Sequence, residues 1–82
     1  MTTFPELRAL MAKHGMTQDA MGKIIGNTYA TFGKKLNGGS EFTFKDMVTI
    51  ANFFQSKGET VTIDKIFFNW KFAKENNKAV NK

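Results

Sequence analysis

Residues 16–38 read MTQDAMGKIIGNTYATFGKKLNG, and this stretch holds two short helices and the turn between them. Thr17 offers a hydroxyl to the unpaired amides of a first turn, and Asp19 stands where the positive end of a helix dipole favours an acid. Met21, Ile24 and Ile25 then form one apolar face at helical spacing. Gly26 stops the segment, since glycine enters the left-handed conformation with which many helices end. Thr28 caps the next helix, expected over residues 29–36. In it Phe32 and Leu36 lie four apart and point inward, while Tyr29, Ala30, Gly33, Lys34 and Lys35 cover the other sides. Asn37-Gly38-Gly39 ends it. Helices this short are marginal alone and need tertiary support.

The same reading extends both ways. Upstream, Thr3-Phe4-Pro5-Glu6 has the spacing of a capping box with proline in the first turn. It predicts a helix over about residues 4–14, with Leu7, Leu10, Met11 and His14 at helical spacing and Gly15 as its stop. Downstream, Thr43 caps a fourth helix with Asp46 at the third position. Its stripe is Met47, Ile50, Ala51 and Phe54, widened by Phe44 and Val48, and Ser56-Lys57-Gly58 closes it. Thr62 caps a short fifth helix through Ile63, Ile66 and Phe67. Beyond it two periods compete: Ile63, Ile66, Phe67 and Trp70 fit a helix, and Ile66, Phe68, Trp70 and Phe72 fit a strand. The end, AKENNKAVNK, is polar and expected to be disordered. The fold class expected is therefore all-α, with a five-helix domain over 1–68 and a flexible basic tail over 69–82. Its core is expected around Leu10, Ile25, Phe32, Leu36, Met47, Ile50 and Phe67.

With 82 residues the chain fits a single domain, and one this small buries only about 60% of its unfolded surface. It has no cysteine and one histidine, His14, which leaves no disulfide and no thiolate or imidazole metal cluster. Neither a signal peptide nor a membrane span is legible, so a cytoplasmic location is expected, with no membrane partner. No nucleophile elbow and no phosphate-binding glycine loop is present either, and Gly38-Gly39 reads as a turn. No enzyme activity, cofactor, metal or small-molecule substrate is expected.

Net charge is +5, from 12 basic and 7 acidic residues, and it is unevenly spread. Lys23, Lys34, Lys35 and Lys45 stand against Glu41 in the central segment, and Lys71, Lys74, Lys78 and Lys82 against Glu75 in the tail. Positive charge gathered in this way suits a polyanion.

Thr17-Gln18 opening a helix, Gly26 in the turn, Thr28 capping the following helix and Asn37-Gly38 closing it resemble the Cro/repressor-type (XRE-like) helix-turn-helix family, in particular the small regulators of phages of Gram-positive bacteria. Phe42-Thr43 and the segment Ile63-Asp64-Lys65-Ile66-Phe67-Phe68 match as well, so the resemblance covers roughly residues 4–68. It implies a sequence-specific transcriptional regulator, a repressor or Cro-like protein. The helix over about 28–36 would lie in the major groove of a double-stranded DNA operator, where its N-terminal side chains reach base edges. Carried over residue by residue, Tyr29, Ala30, Thr31 and Lys34 would face the bases. Gln18, Lys23, Thr28, Lys35, Asn37 and Ser40 would meet phosphates. The family also implies a homodimer on DNA, for which the aromatics Phe68, Trp70 and Phe72 are the candidate contacts, with packing of Trp70 and Phe72 back onto the fifth helix as the alternative. The chain departs from the pattern at Asn27, at Gly22 and Gly33 inside helices, and in the order of Lys35 and Leu36. A module that reuses this fold to bind another protein, such as an antirepressor, is the alternative.

Overall fold

Four threonines set where helices of this chain begin. The computed structural model describes residues 3–70, and its elements in order are α1 (Pro5–Lys13), α2 (Gln18–Ile24), α3 (Tyr29–Leu36), α4 (Phe44–Ser56) and α5 (Asp64–Phe68). Thr17 accepts from the Ala20 amide at 3.1 Å, Thr28 from Thr31 at 3.1 Å, Thr43 from Asp46 at 3.0 Å and Thr62 from Lys65 at 3.2 Å. Each bond satisfies an amide that a first turn leaves unpaired. At Thr43 it is reciprocal: the Asp46 carboxylate accepts from the Thr43 amide at 3.0 Å, closing a capping box. No strand occurs among the described residues, and the fold is all-helical.

The first four helices also end alike, each followed by a glycine with positive φ: Gly15, Gly26, Gly38 and Gly58. After α2 the Gly26 amide donates to the Lys23 carbonyl at 3.2 Å and the Asn27 amide to the Gly22 carbonyl at 2.7 Å. These two bonds occupy carbonyls that the last turn leaves free, and they reverse the chain tightly enough for α3 to begin at Tyr29.

The start of α1 differs from the expected capping box. Its cap is Phe4, in the left-handed region at φ 49, ψ 57, with no side-chain hydrogen bond. The Thr3 hydroxyl donates instead to the Leu36 carbonyl at the end of α3, at 2.6 Å. Pro5 has no amide to be capped, and the unpaired end of α3 is the better acceptor. A left-handed, non-glycine residue costs about 1–2 kcal/mol. It also swings the Phe4 ring edge-on to Phe42, Phe67 and Trp70, at centroid distances of 5.1, 6.0 and 5.3 Å. Pairs of this kind contribute about 0.5–1.5 kcal/mol each beyond their buried area.

The innermost side chains are Leu7, Met21, Phe32, Ile50, Phe54 and Ile66, drawn from all five helices. Leu10, Leu36 and Phe67 are buried as expected. Ile25 and Met47 are only half-buried, because Ile25 caps the end of α2 and Met21, one turn earlier, takes the central position. Phe44 does not widen the core face of α4: it is 71% exposed, while Phe42, two residues earlier in the loop, is buried in the core.

The chain stays helical from 63 to 70, so the strand alternation is not used there. Asp64–Phe68 is wound as a wide π turn, closed by the Asn69 amide on the Asp64 carbonyl. Phe68 packs half-buried against the core and Trp70 lies edge-on to Phe4, so both rings expected at a dimer contact are held by their own domain. Phe72 and the tail lie outside the described residues. Among those residues no helix is long and apolar enough to cross a membrane.

Candidate nucleic-acid interface

Two glycines bring α2 and α3 together. A Cβ on Gly22 would stand 2.9 Å from the carbonyl oxygens of both Asn27 and Thr28, so only glycine lets the turn fold back over α2. A Cβ on Gly33 would collide with the amide nitrogen of Gln18, which reaches from the first residue of α2 across α3. Gly22 thus has a packing reason, at a helix-propensity cost of about 1 kcal/mol, while the neighbour of Gly33 is only the far end of a flexible side chain.

With Phe32, Gly33 and Leu36 turned inward, α3 presents Tyr29, Ala30, Thr31 and Lys34 to solvent. Tyr29 is 56% exposed, and the stem of Lys34 runs along Gly39, within about 3.0 Å of where a Cβ there would stand. The Thr28 hydroxyl is exposed, yet it accepts from the Thr31 amide and donates to the Thr31 hydroxyl at 3.0 Å. The four side chains expected to face bases are therefore all accessible.

The cations divide into held and free. Lys35, expected at a phosphate, bonds Asp46 of α4 at 2.5 Å, with side chains 12% and 9% exposed. Burial pushes the Asp46 carboxyl up, but the Lys35 ammonium, the Thr43 amide and the Thr43 hydroxyl outweigh it and hold the carboxyl below its ordinary value. Lys35 is thus a brace between α3 and α4 rather than a surface cation. Lys23 is exposed 3.3 Å from Asp19 on its own helix, a pair of little energetic weight. Among the described residues Lys34 and Lys45 make no ion pair.

Asn37 is exposed just past α3, and its Oδ1 accepts from the Arg8 guanidinium at 2.9 Å. Arg8 also donates to the carbonyl and hydroxyl of Thr3, at 2.6 and 3.0 Å, and to the Leu36 carbonyl at 3.3 Å. All these acceptors are neutral, so the arginine keeps its charge at the negative end of the α3 dipole. The sequence reading missed Arg8. The available signal was an arginine on α1 with no acid three or four residues away. Ser40 is half-buried and lines a cleft of about 440 Å³ with Thr3, Phe4 and Phe42, beside the exposed carboxylate of Glu41.

His14 has a partner that its own segment does not reveal. Its Nε2 lies 2.6 Å from Glu59 Oε2, which also meets Lys13 Nζ at 2.8 Å. The Lys13 ammonium, and then His14, hold the Glu59 carboxyl below its ordinary value. The cluster joins the end of α1 to the loop after α4, and its chemistry is that of a tie between elements. No family model, no curated protein and no solved structure matches this chain.

Proposed function

We propose that the chain is a sequence-specific regulator of the Cro/repressor helix-turn-helix type that binds duplex DNA through α3, in the cytoplasm of a bacterial host cell. The observation that carries this reading is the outward face of α3. Tyr29, Ala30, Thr31 and Lys34 are all accessible on a helix anchored by Phe32 and Leu36, with Gly22 giving room for the turn that joins it to α2. A helix has the width of the major groove, and side chains on its first turn reach base edges there. Lys34 is the candidate for a guanine edge, Ala30 for a thymine methyl, and Tyr29 and Thr31 for further polar contacts. Gln18, Lys23, Asn37 and Ser40 are the candidates for phosphates. Thr28 acts chiefly as the α3 cap, Lys35 as the brace, and Arg8 as the group that orients Asn37.

Selection of sites from random duplexes, followed by affinity measurements against salt, tests the reading. Two cations, Arg8 and Lys23, give a log–log slope of about −2 per half-site at one phosphate each. Lys34→Ala lowers discrimination between cognate and other duplexes by about 1–3 kcal/mol, while Lys23→Ala weakens all duplexes alike. Affinity indifferent to salt, or an unchanged specificity ratio in Lys34→Ala, defeats the proposal. The second reading, a protein-binding module, is favoured by the pairing of Lys13, Lys23 and Lys35 with acids. It predicts no retention on bulk DNA at low salt.

A further inference from the structure

The cleft of about 440 Å³ beside Ser40 is walled largely by aromatic rings. Phe4 stands at the entry to α1, Phe42 in the loop before α4, and Phe67, Phe68 and Trp70 at the end of the described chain. Two of the lining residues carry a polar group without a partner among the described residues. The Nε1 of Trp70 is buried with no hydrogen-bond acceptor, and a buried donor is costly to leave unpaired. Glu41 is the one charged residue lining the cleft, and its exposed carboxylate makes no ion pair. The occupant that fits such a cleft combines an apolar ring, a hydrogen-bond acceptor and positive charge.

We infer that the chain's own C-terminal segment, residues 71–82, folds back into this cleft with the Phe72 ring among its aromatic walls. The segment reads KFAKENNKAVNK, with one aromatic residue, Phe72, and four lysines against one acid, Glu75. It supplies all three features of the occupant. Phe72 is the ring, a backbone carbonyl of the segment accepts from Trp70 Nε1, and Lys71 and Lys74 flank the ring within reach of Glu41. Distance is no obstacle. Trp70 itself lines the cleft, and Phe72 stands two residues on, at most about 7 Å away between α-carbons. Both periods of the sequence put Phe72 on the same side. Helical continuation sets it one turn past Phe68, and strand alternation sets it one repeat past Trp70, and both of those residues line the cleft. A segment tethered at the wall of its own site has an effective concentration of order millimolar, which favours it over a second copy. The site reaches beyond α5, because the entry to α1 and the loop after α3 form its other walls. Docking thus ties the end of the chain to that loop. It requires nothing of the outward face of α3 and stands apart from the DNA reading.

Trp70 is the only tryptophan, so nuclear magnetic resonance of the full-length, isotope-labelled chain gives a single indole N–H signal. Its hydrogen exchange is expected to be slow in the wild type. Phe72→Ala speeds it about 10- to 100-fold, the scale of burying one phenylalanine ring, while the core amides of Ile50 and Phe54 exchange as before. Glu41→Lys speeds it too, by setting like charges together, and adding Lys71→Glu with Lys74→Glu to that chain slows it again. Overhauser contacts from the Phe72 ring to Phe4 and Phe42 persist within labelled chains diluted into an excess of unlabelled ones. Indole exchange unmoved by Phe72→Ala overturns the inference. So do ring contacts found only between labelled and unlabelled chains, which make a second copy the occupant. A triple variant no better protected than Glu41→Lys alone overturns it as well.

Discussion

At the residue scale the two helix-interior glycines make opposite predictions. The neighbours of Gly22 are backbone carbonyls at 2.9 Å, and they cannot yield without moving the turn. Gly22→Ala is therefore expected to destabilise by about 1–3 kcal/mol despite the better helix propensity of alanine, the usual range for overpacking. The neighbour of Gly33 is the far end of a flexible glutamine. Gly33→Ala is expected to leave stability unchanged or raise it by up to about 1 kcal/mol, while displacing Gln18 and weakening DNA binding. Thermal melts of the two variants decide this, and equal losses would contradict it. What the sequence revealed at this scale was local. The accessible face of α3 follows from one cap and one period, both contained in residues 28–36. The fate of Lys35 does not, because its partner Asp46 lies eleven residues away on another helix. Thr3 was misread for the same reason, since Leu36 competes for its hydroxyl from 33 residues away.

At the scale of elements, helix limits were legible because caps and stops are chemistry within a few residues. Thr17, Thr28, Thr43 and Thr62 all cap as their positions suggest. The π winding of Asp64–Phe68 has no such local signature, and neither does the exposure of Phe44 beside a buried Phe42. The joint between α3 and α4 rests on Lys35 and Asp46, both largely withdrawn from water. Removing one partner of a buried pair leaves the other charge uncompensated, at a cost of about 3–5 kcal/mol. Lys35→Met is expected to fall at the lower edge of that range, since Asp46 keeps its bonds to Thr43. The double variant Lys35→Met with Asp46→Asn recovers part of the loss, because asparagine still accepts from the Thr43 amide. A double-mutant cycle by urea unfolding measures the coupling, and additive losses would show that the two side chains act independently.

At the scale of the whole molecule, two carboxylates tie elements distant in sequence, and both do so only when ionised. Glu59 joins the loop after α4 to Lys13 and His14 of the α1 end, and Asp46 joins α4 to α3. Both titrate below their ordinary values of 4.5 and 3.8, for Glu59 through Lys13 and then His14, and for Asp46 because Lys35 and Thr43 outweigh its burial. A carboxyl whose folded value is lowered takes up protons more readily when the chain is unfolded. Its contribution is therefore complete above the ordinary value and is lost as pH falls through the folded one. Stability is expected to be insensitive to these two groups above about pH 5.5 and to decline progressively below the ordinary Glu59 value of 4.5. Glu59→Gln removes the upper part of that decline, and Lys35→Met weakens the lower part, because only the Thr43 bonds then oppose the burial of the Asp46 carboxyl. A small domain has few kcal/mol in hand, and each one lost moves the midpoint by about 4–8 °C, so the decline is measurable in thermal melts. A midpoint constant from about pH 6 to pH 3 would mean that neither tie distinguishes the folded from the unfolded chain. An acid slope of the same shape in Glu59→Gln would assign the loss to other carboxylates.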